Sequence, residues 1–214
     1  VFAPTAQAAP SSVQTSQTPG FYRMALGDMV VTAIYDGYVS LNPSILNGAS
    51  ARDIQRLLAK MFVETTPGIQ TAVNSFLIHA DDTLVMVDTG GAACLGESLG
   101  RLAANIRAAG YEPDQVDAVL LTHLHPDHVC GLLNADGSPL FTNANVYASI
   151  HETNYWLNPD VMAKAAPEAQ VFFEKARAAL APYQEAQRFH AYTSDNELPA
   201  GIRTVPTPGH TPGH

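Results

Sequence analysis

The run Thr122-His123-Leu124-His125-Pro126-Asp127-His128 constrains this chain more than any other feature. It sets three imidazoles and a carboxylate within six residues, directly after the apolar stretch Val116–Leu121. A second cluster, Pro208-Gly209-His210-Thr211-Pro212-Gly213-His214, follows much later, and five of the eight histidines lie in these two segments. Neutral imidazole and carboxylate are ligands for borderline ions such as zinc. Alternate residues of an extended segment share a face, so His123 and His125 can reach one ion. Asp127 and His128 lie just beyond, where the chain turns, and can reach a second. A wet loop that merely happens to hold histidines does not explain their bunching between a hydrophobic strand and a Gly-rich stop.

Strand and helix signals place the motif in an α/β (α+β) chain. Met24–Tyr35 reads as two short strands around Gly27-Asp28, closed by Asp36-Gly37. Ser50 with Asp53 reads as a helix cap ahead of Ile54, Leu57, Leu58 and Met61. Thr71–His79 and Thr83–Val87 read as a hairpin. Cys94–Ala109 reads as a helix stopped by Gly110. Gln115–Leu121 and Val146–Ile150 read as strands, the first apolar and buried. Asp160–Tyr183 reads as two helical pieces broken near Pro167, and Ile202–Val205 as a return to strand.

The length of 214 residues fits one domain with a substantial core. A net charge of −9 argues against nucleic acid, because no basic patch meets phosphates. No apolar run approaches the roughly eighteen residues that a membrane span needs. Residues 1–20 are uncharged, small and Pro-rich, and Ala6-Gln7-Ala8 has the form of a signal-cleavage site. They are set apart as a flexible exported lead, so a periplasmic or secreted protein is expected, with 21–214 as its domain. Two cysteines make no disulfide framework. Small buried hydrophobes are the preferred reading of Cys94 and Cys130, and a bond between them requires their Cα atoms within reach. His79, His151 and His190 read as ordinary. His214 is not counted a ligand, since Pro212 disfavours the helix that would put it on one face with His210.

The segment 122–128, Asp88 at the end of Leu84–Val87, and His210 together resemble the metal motif of the metallo-β-lactamase superfamily. Tyr22–Asp28, Ala33–Gly37, Thr71–Asn74, Leu121–His128, Asn134–Pro139 and Pro208–His214 further resemble the methyl parathion hydrolase group, whose relatives include lactonases and arylesterases. The resemblance implies an αββα sandwich and a hydrolase with two divalent ions, zinc foremost, that attacks phosphotriester, lactone or aryl ester bonds of small molecules through a bridging hydroxide. His123, His125 and His210 would hold the first ion, and Asp127 and His128 the second. Asp127 and Asp88 are the catalytic candidates, Asp127 by orienting the nucleophile and Asp88 by bracing the site. Further ligands and strands are implied beyond His214, so the domain reads as incomplete at its C-terminal side. Helical residues 151–183 would form a substrate-side insertion, with Trp156 and Phe173 (Phe172 one step away) at the pocket mouth. Leu95 stands where the resembling enzymes carry an aromatic, which favours lactones or aliphatic esters. A homodimer is compatible with this reading. The alternatives are a lactonase without phosphotriesterase activity, and a non-enzymatic metal-binding or interaction module should the protein end at His214.

Overall fold

The computed structural model describes residues 18–66 and 68–214; all but the end of the expected lead lies outside them. Seven strands form one mixed sheet whose spatial order equals their order in sequence. β1 (Phe21–Leu26), β2 (Met29–Leu41), β3 (Ile69–Ala80) and β4 (Thr83–Val87) run antiparallel. β5 (Ala118–Leu120), β6 (Asn145–Ser149) and β7 (Phe189–Tyr192) continue parallel to β4. The helices are α1 (Ala51–Lys60), α2 (Leu102–Ala108), α3 (Pro126–Val129), α4 (Ile150–Trp156), α5 (Pro159–Lys164) and α6 (Pro167–Glu185). A mixed sheet flanked by helices is consistent with an αββα metallo-β-lactamase sandwich.

The register explains the core. Thr32 pairs with Leu77, Leu77 with Met86, Met86 with Val119, and Val119 with Val146. All five are at most 1 % exposed, so one row of side chains crosses five strands on a single face. Leu102 and Ile106 of α2, Trp156 of α4, and Phe173, Leu180 and Tyr183 of α6 join this row in one cluster. The Tyr183 hydroxyl donates to Leu132 O and accepts from Phe141 N, which fixes α6 to the segment after α3. On another side of the sheet a groove of about 730 Å³ runs past Leu26, Met29, Val31, Ile78 and Val87.

Several expectations hold in detail. Ser50 Oγ accepts from Asp53 N and caps α1, although only Ile54 of the helix is buried. The β1–β2 and β3–β4 hairpins turn at Gly27-Asp28 and Asp81-Asp82. Asp160–Tyr183 is helical in two pieces that divide before Pro167.

Others are corrected. Asp36-Gly37 does not close β2: it forms a bulge, and the strand runs on to Leu41. Residues 94–101 are not helical, because Gly96 and Gly100 adopt positive φ and the segment is tied down from outside. The two cysteines are not small free hydrophobes. Cys94 and Cys130 are joined, with Cα atoms 6.2 Å apart. Ile202–Val205 pairs with no strand among the described residues. Thr204 is held instead by Asp195, and Phe189–Tyr192, with no long apolar run to announce it, is the strand that joins β6.

Candidate metal centre

The site lies at the carboxyl ends of parallel strands, where α/β sheets gather their ligand-binding loops. β4 delivers Asp88 and β5 delivers the 122–128 run, and Pro126 opens the short helix α3. Thr89 N and Oγ1 both donate to His128 O, so the two loops are stitched together at the site.

His123, His125 and His210 each offer a ring nitrogen, and these nitrogens lie within 4.8 Å of one another. His125 Nδ1 is 3.0 Å from His210 Nε2 although 85 residues separate them. His123 is 2 % exposed. Its Nδ1 meets Thr122 Oγ1, while its buried Nε2 has no hydrogen-bond partner. An orphaned buried nitrogen is costly unless something accepts its lone pair or proton. Its position among two other imidazoles fits a divalent ion of the zinc type.

Electrostatics agree with that fit. Burial, then the charges of His128, His125, His210 and His214, push the His123 pKa down to about 2. Burial and His210 push His125 down to about 4. Both rings are therefore neutral at pH 7 and have lone pairs to give.

Asp127 and His128 stand beside this trio. His128 Nε2 is 3.4 Å from Asp127 Oδ2, and the His123 and His128 ring centroids are 4.0 Å apart. Burial opposes charge on His128, but Asp127 and Asp88 outweigh it and raise its pKa to about 9. Burial raises Asp127, and the His128 contact more than reverses this, leaving it below the usual carboxylate range. Asp88 does not face the trio. It accepts from Thr122 N at 2.8 Å and from the Thr122 hydroxyl, and its Oδ2 meets His128 Nδ1. That turns the His128 Nε2 toward Asp127.

The two neighbouring phenylalanines named from sequence are placed differently. Phe172, not Phe173, lies against His125, with centroids 5.7 Å apart. Phe173 is 1 % exposed and packs on Trp156 and Tyr155 within the core. Trp156 bridges the two settings, its ring 5.0 Å from His125. Leu95 is 38 % exposed on the 91–100 loop, next to the disulfide. His214 is closer to the centre than expected, its ring 4.9 Å from His123, with Nδ1 taken by Thr207 Oγ1.

Two buried carboxylates were not singled out from sequence. Asp36, fully buried, accepts from Gly91 N, Gly100 N and Leu102 N and so closes the 91–100 loop into a ring. Glu152 is also fully buried, beneath the histidines. Within α4 only Glu152 and Trp156 are buried, and the flanking Ser149-Ile150-His151 does not announce a buried acid.

Comparison with known proteins agrees with this geometry. The family model described as the metallo-beta-lactamase superfamily matches residues 68–214. An N-acyl homoserine lactonase of Bacillus thuringiensis is 25 % identical over 170 residues, covering 70 % of this chain and 59 % of the lactonase. The chain thus spans less than two thirds of the length of that curated relative. The crystal structure of the hydrolase AbOPH of the beta lactamase superfamily superposes with a TM-score of 0.84 and 39 % identity, over 93 % of this chain and 69 % of that one. AidC, a dizinc quorum-quenching lactonase, superposes with a TM-score of 0.79 and 25 % identity, over 91 % and 68 %. Among the described residues no helix is long and apolar enough to cross a membrane. With the family model over most of its length and a histidine cluster that could hold an ion, the chain belongs to the metallo-β-lactamase superfamily, a superfamily of metal-dependent hydrolases.

Proposed function

We propose that the protein is a two-metal hydrolase that opens lactone or ester bonds of small molecules. The observation that carries this reading is the unpartnered His123 Nε2 within the His123, His125 and His210 trio. These three would hold the first ion, and Asp127 and His128 contribute to a second; zinc suits the donor set. Bound there, the ions supply Lewis acidity and lower the pKa of water. The chain does the rest. The Asp127 carboxylate accepts a hydrogen bond from the attacking water and orients it. Asp88 holds the His128 ring through Nδ1. Phe172 and Trp156 offer an apolar wall to the acyl or aryl part of the substrate.

Lactones lead because of Leu95, which offers no stacking face, and because both AidC and the Bacillus thuringiensis relative are lactonases. Phosphotriesters form the second reading. The motif resemblance to the methyl parathion hydrolase group favours it, together with 39 % identity to the hydrolase AbOPH. Export to an oxidising compartment is supported by the Cys94–Cys130 bond.

The test is a substrate panel run on zinc-loaded and chelated protein: N-acyl homoserine lactones, phenyl acetate and a paraoxon-type triester. Lactone or ester turnover that chelation removes and zinc restores is the expected result. A triester rate roughly a hundredfold ahead would hand the assignment to the second reading. Zinc binding without turnover of any member would leave a metal-binding module.

A further inference from the structure

We propose that Glu152 is a positioning residue that clamps the two histidine-bearing segments together and thereby sets the affinity for the first ion. The proposal rests on the metal-centre reading above. Glu152 lies in the first turn of α4 and is fully buried. Its Oε2 accepts from Leu124 N at 3.0 Å, and Leu124 stands between His123 and His125. Its Oε1 accepts from Gly213 N at 2.7 Å, three residues beyond His210. One carboxylate therefore spans two segments that the chain itself separates widely.

The 207–214 segment needs such an anchor. Half of its polar contacts are internal: Thr207 N to His214 O, Thr207 Oγ1 to His214 Nδ1, and Gly209 N to Thr211 O. Contacts reaching outside it go to Glu152, to Ser149 and to His125. Ser149 belongs to the same clamp. Its hydroxyl donates to Gly213 O and accepts from Glu152 N. Gly213 is pressed so close that a Cβ there would lie 2.6 Å from both Glu152 N and Ser149 Oγ.

A helix cap does not explain the carboxylate, because Ser149 already caps α4. An ion pair does not either, for the described residues form none with it. A buried carboxylate without a cation is costly. Here one oxygen meets the buried Leu124 amide and the other the partly buried Gly213 amide, and an apolar residue would strand both. The outcome is a fixed separation between His125 and His210 before any ion arrives, and preorganisation of ligands is what outer contacts contribute to metal affinity.

Glu152→Gln tests this in the intact protein. Glutamine keeps the shape but offers one acceptor oxygen, so only one of the two amides is satisfied. Zinc affinity is measured by chelator competition, with near-ultraviolet circular dichroism to establish folding. The expected result is a folded variant whose zinc affinity falls roughly 10–100-fold. A folded variant within about twofold of the wild type would overturn the proposal and leave Glu152 a purely structural residue. If Glu152→Gln does not fold, Ser149→Ala decides, since it cuts the same clamp more gently. A loss of about threefold or more supports the proposal, and unchanged affinity overturns it. Failure of the wild type itself to bind zinc would instead bring down the metal-centre reading, which the same titration reveals before any variant is compared.

Discussion

His128 Nδ1 stands 2.8 Å from Asp88 Oδ2, and this contact decides which nitrogen His128 presents to the site. Asp88→Asn keeps an acceptor for Thr122 but can present an amide N–H to the ring. The expected outcome is a roughly 10–100-fold weaker second ion, with the first ion little changed. Zinc stoichiometry across a chelator series measures it.

Asp127→Asn is expected to act on rate more than on binding. The carboxylate is assigned to orient the attacking water, so its loss falls on the transition state. Steady-state kinetics on a lactone should show kcat lower by roughly 100-fold or more, with KM changed little.

The neighbours Phe172 and Phe173 should separate cleanly. Phe172 faces His125 and is partly buried against the core, so Phe172→Ala should raise KM while lowering the melting temperature less than Phe173→Ala does. Phe173 is core, so Phe173→Ala should cost about 3–5 kcal/mol of stability. Thermal melts and kinetics on both variants provide the check.

The Cys94–Cys130 bond closes a loop of sequence separation 36 that contains the 122–128 run, with Asp88 just outside it. Cys94→Ser is expected to remove about 2–4 kcal/mol. The melting temperature should fall by roughly 5–15 °C, and a reductant should reproduce the drop in the wild type but not in the variant.

In zinc-free protein the melting temperature should peak near pH 6.5, the ordinary histidine value. His125 titrates at about 4 when folded, so below 6.5 the unfolded chain takes up protons first and stability falls toward pH 4. His128 titrates at about 9 when folded, so its stabilising proton is present below 6.5 and lost as pH rises through 9. Calorimetry in chelator across this range is the measurement. A flat profile would remove the account of His123 and His125 as neutral rings.

Local chemistry was legible in the sequence, and long-range chemistry was not. The 122–128 run announces its cluster because spacing alone brings His123, His125, Asp127 and His128 together. The Ser50 cap and the hairpin turns are equally local. The 94–101 segment was misread as helix because its conformation is imposed by Asp36, whose acceptor bonds to Gly91, Gly100 and Leu102 span 55, 64 and 66 residues. The pairing of Cys94 with Cys130 depends on how β4 and β5 lie side by side. Glu152 is invisible for the same reason, since nothing near it in sequence names Leu124 or Gly213 as its donors. Choosing Phe173 over Phe172 turned on the rotation of α6, which two adjacent aromatics do not reveal.

Because strand order in the sheet repeats strand order along the chain, each new strand meets an edge already laid down by its predecessor. Such a sheet can be built by successive addition as the polypeptide emerges, without waiting for a distant partner. His210, though, follows β7 and must return across the parallel strands to reach His125. The cluster of His123, His125 and His210 therefore cannot assemble until β7 has been laid down, and the nascent chain carries its first two imidazoles for many residues before the third joins them.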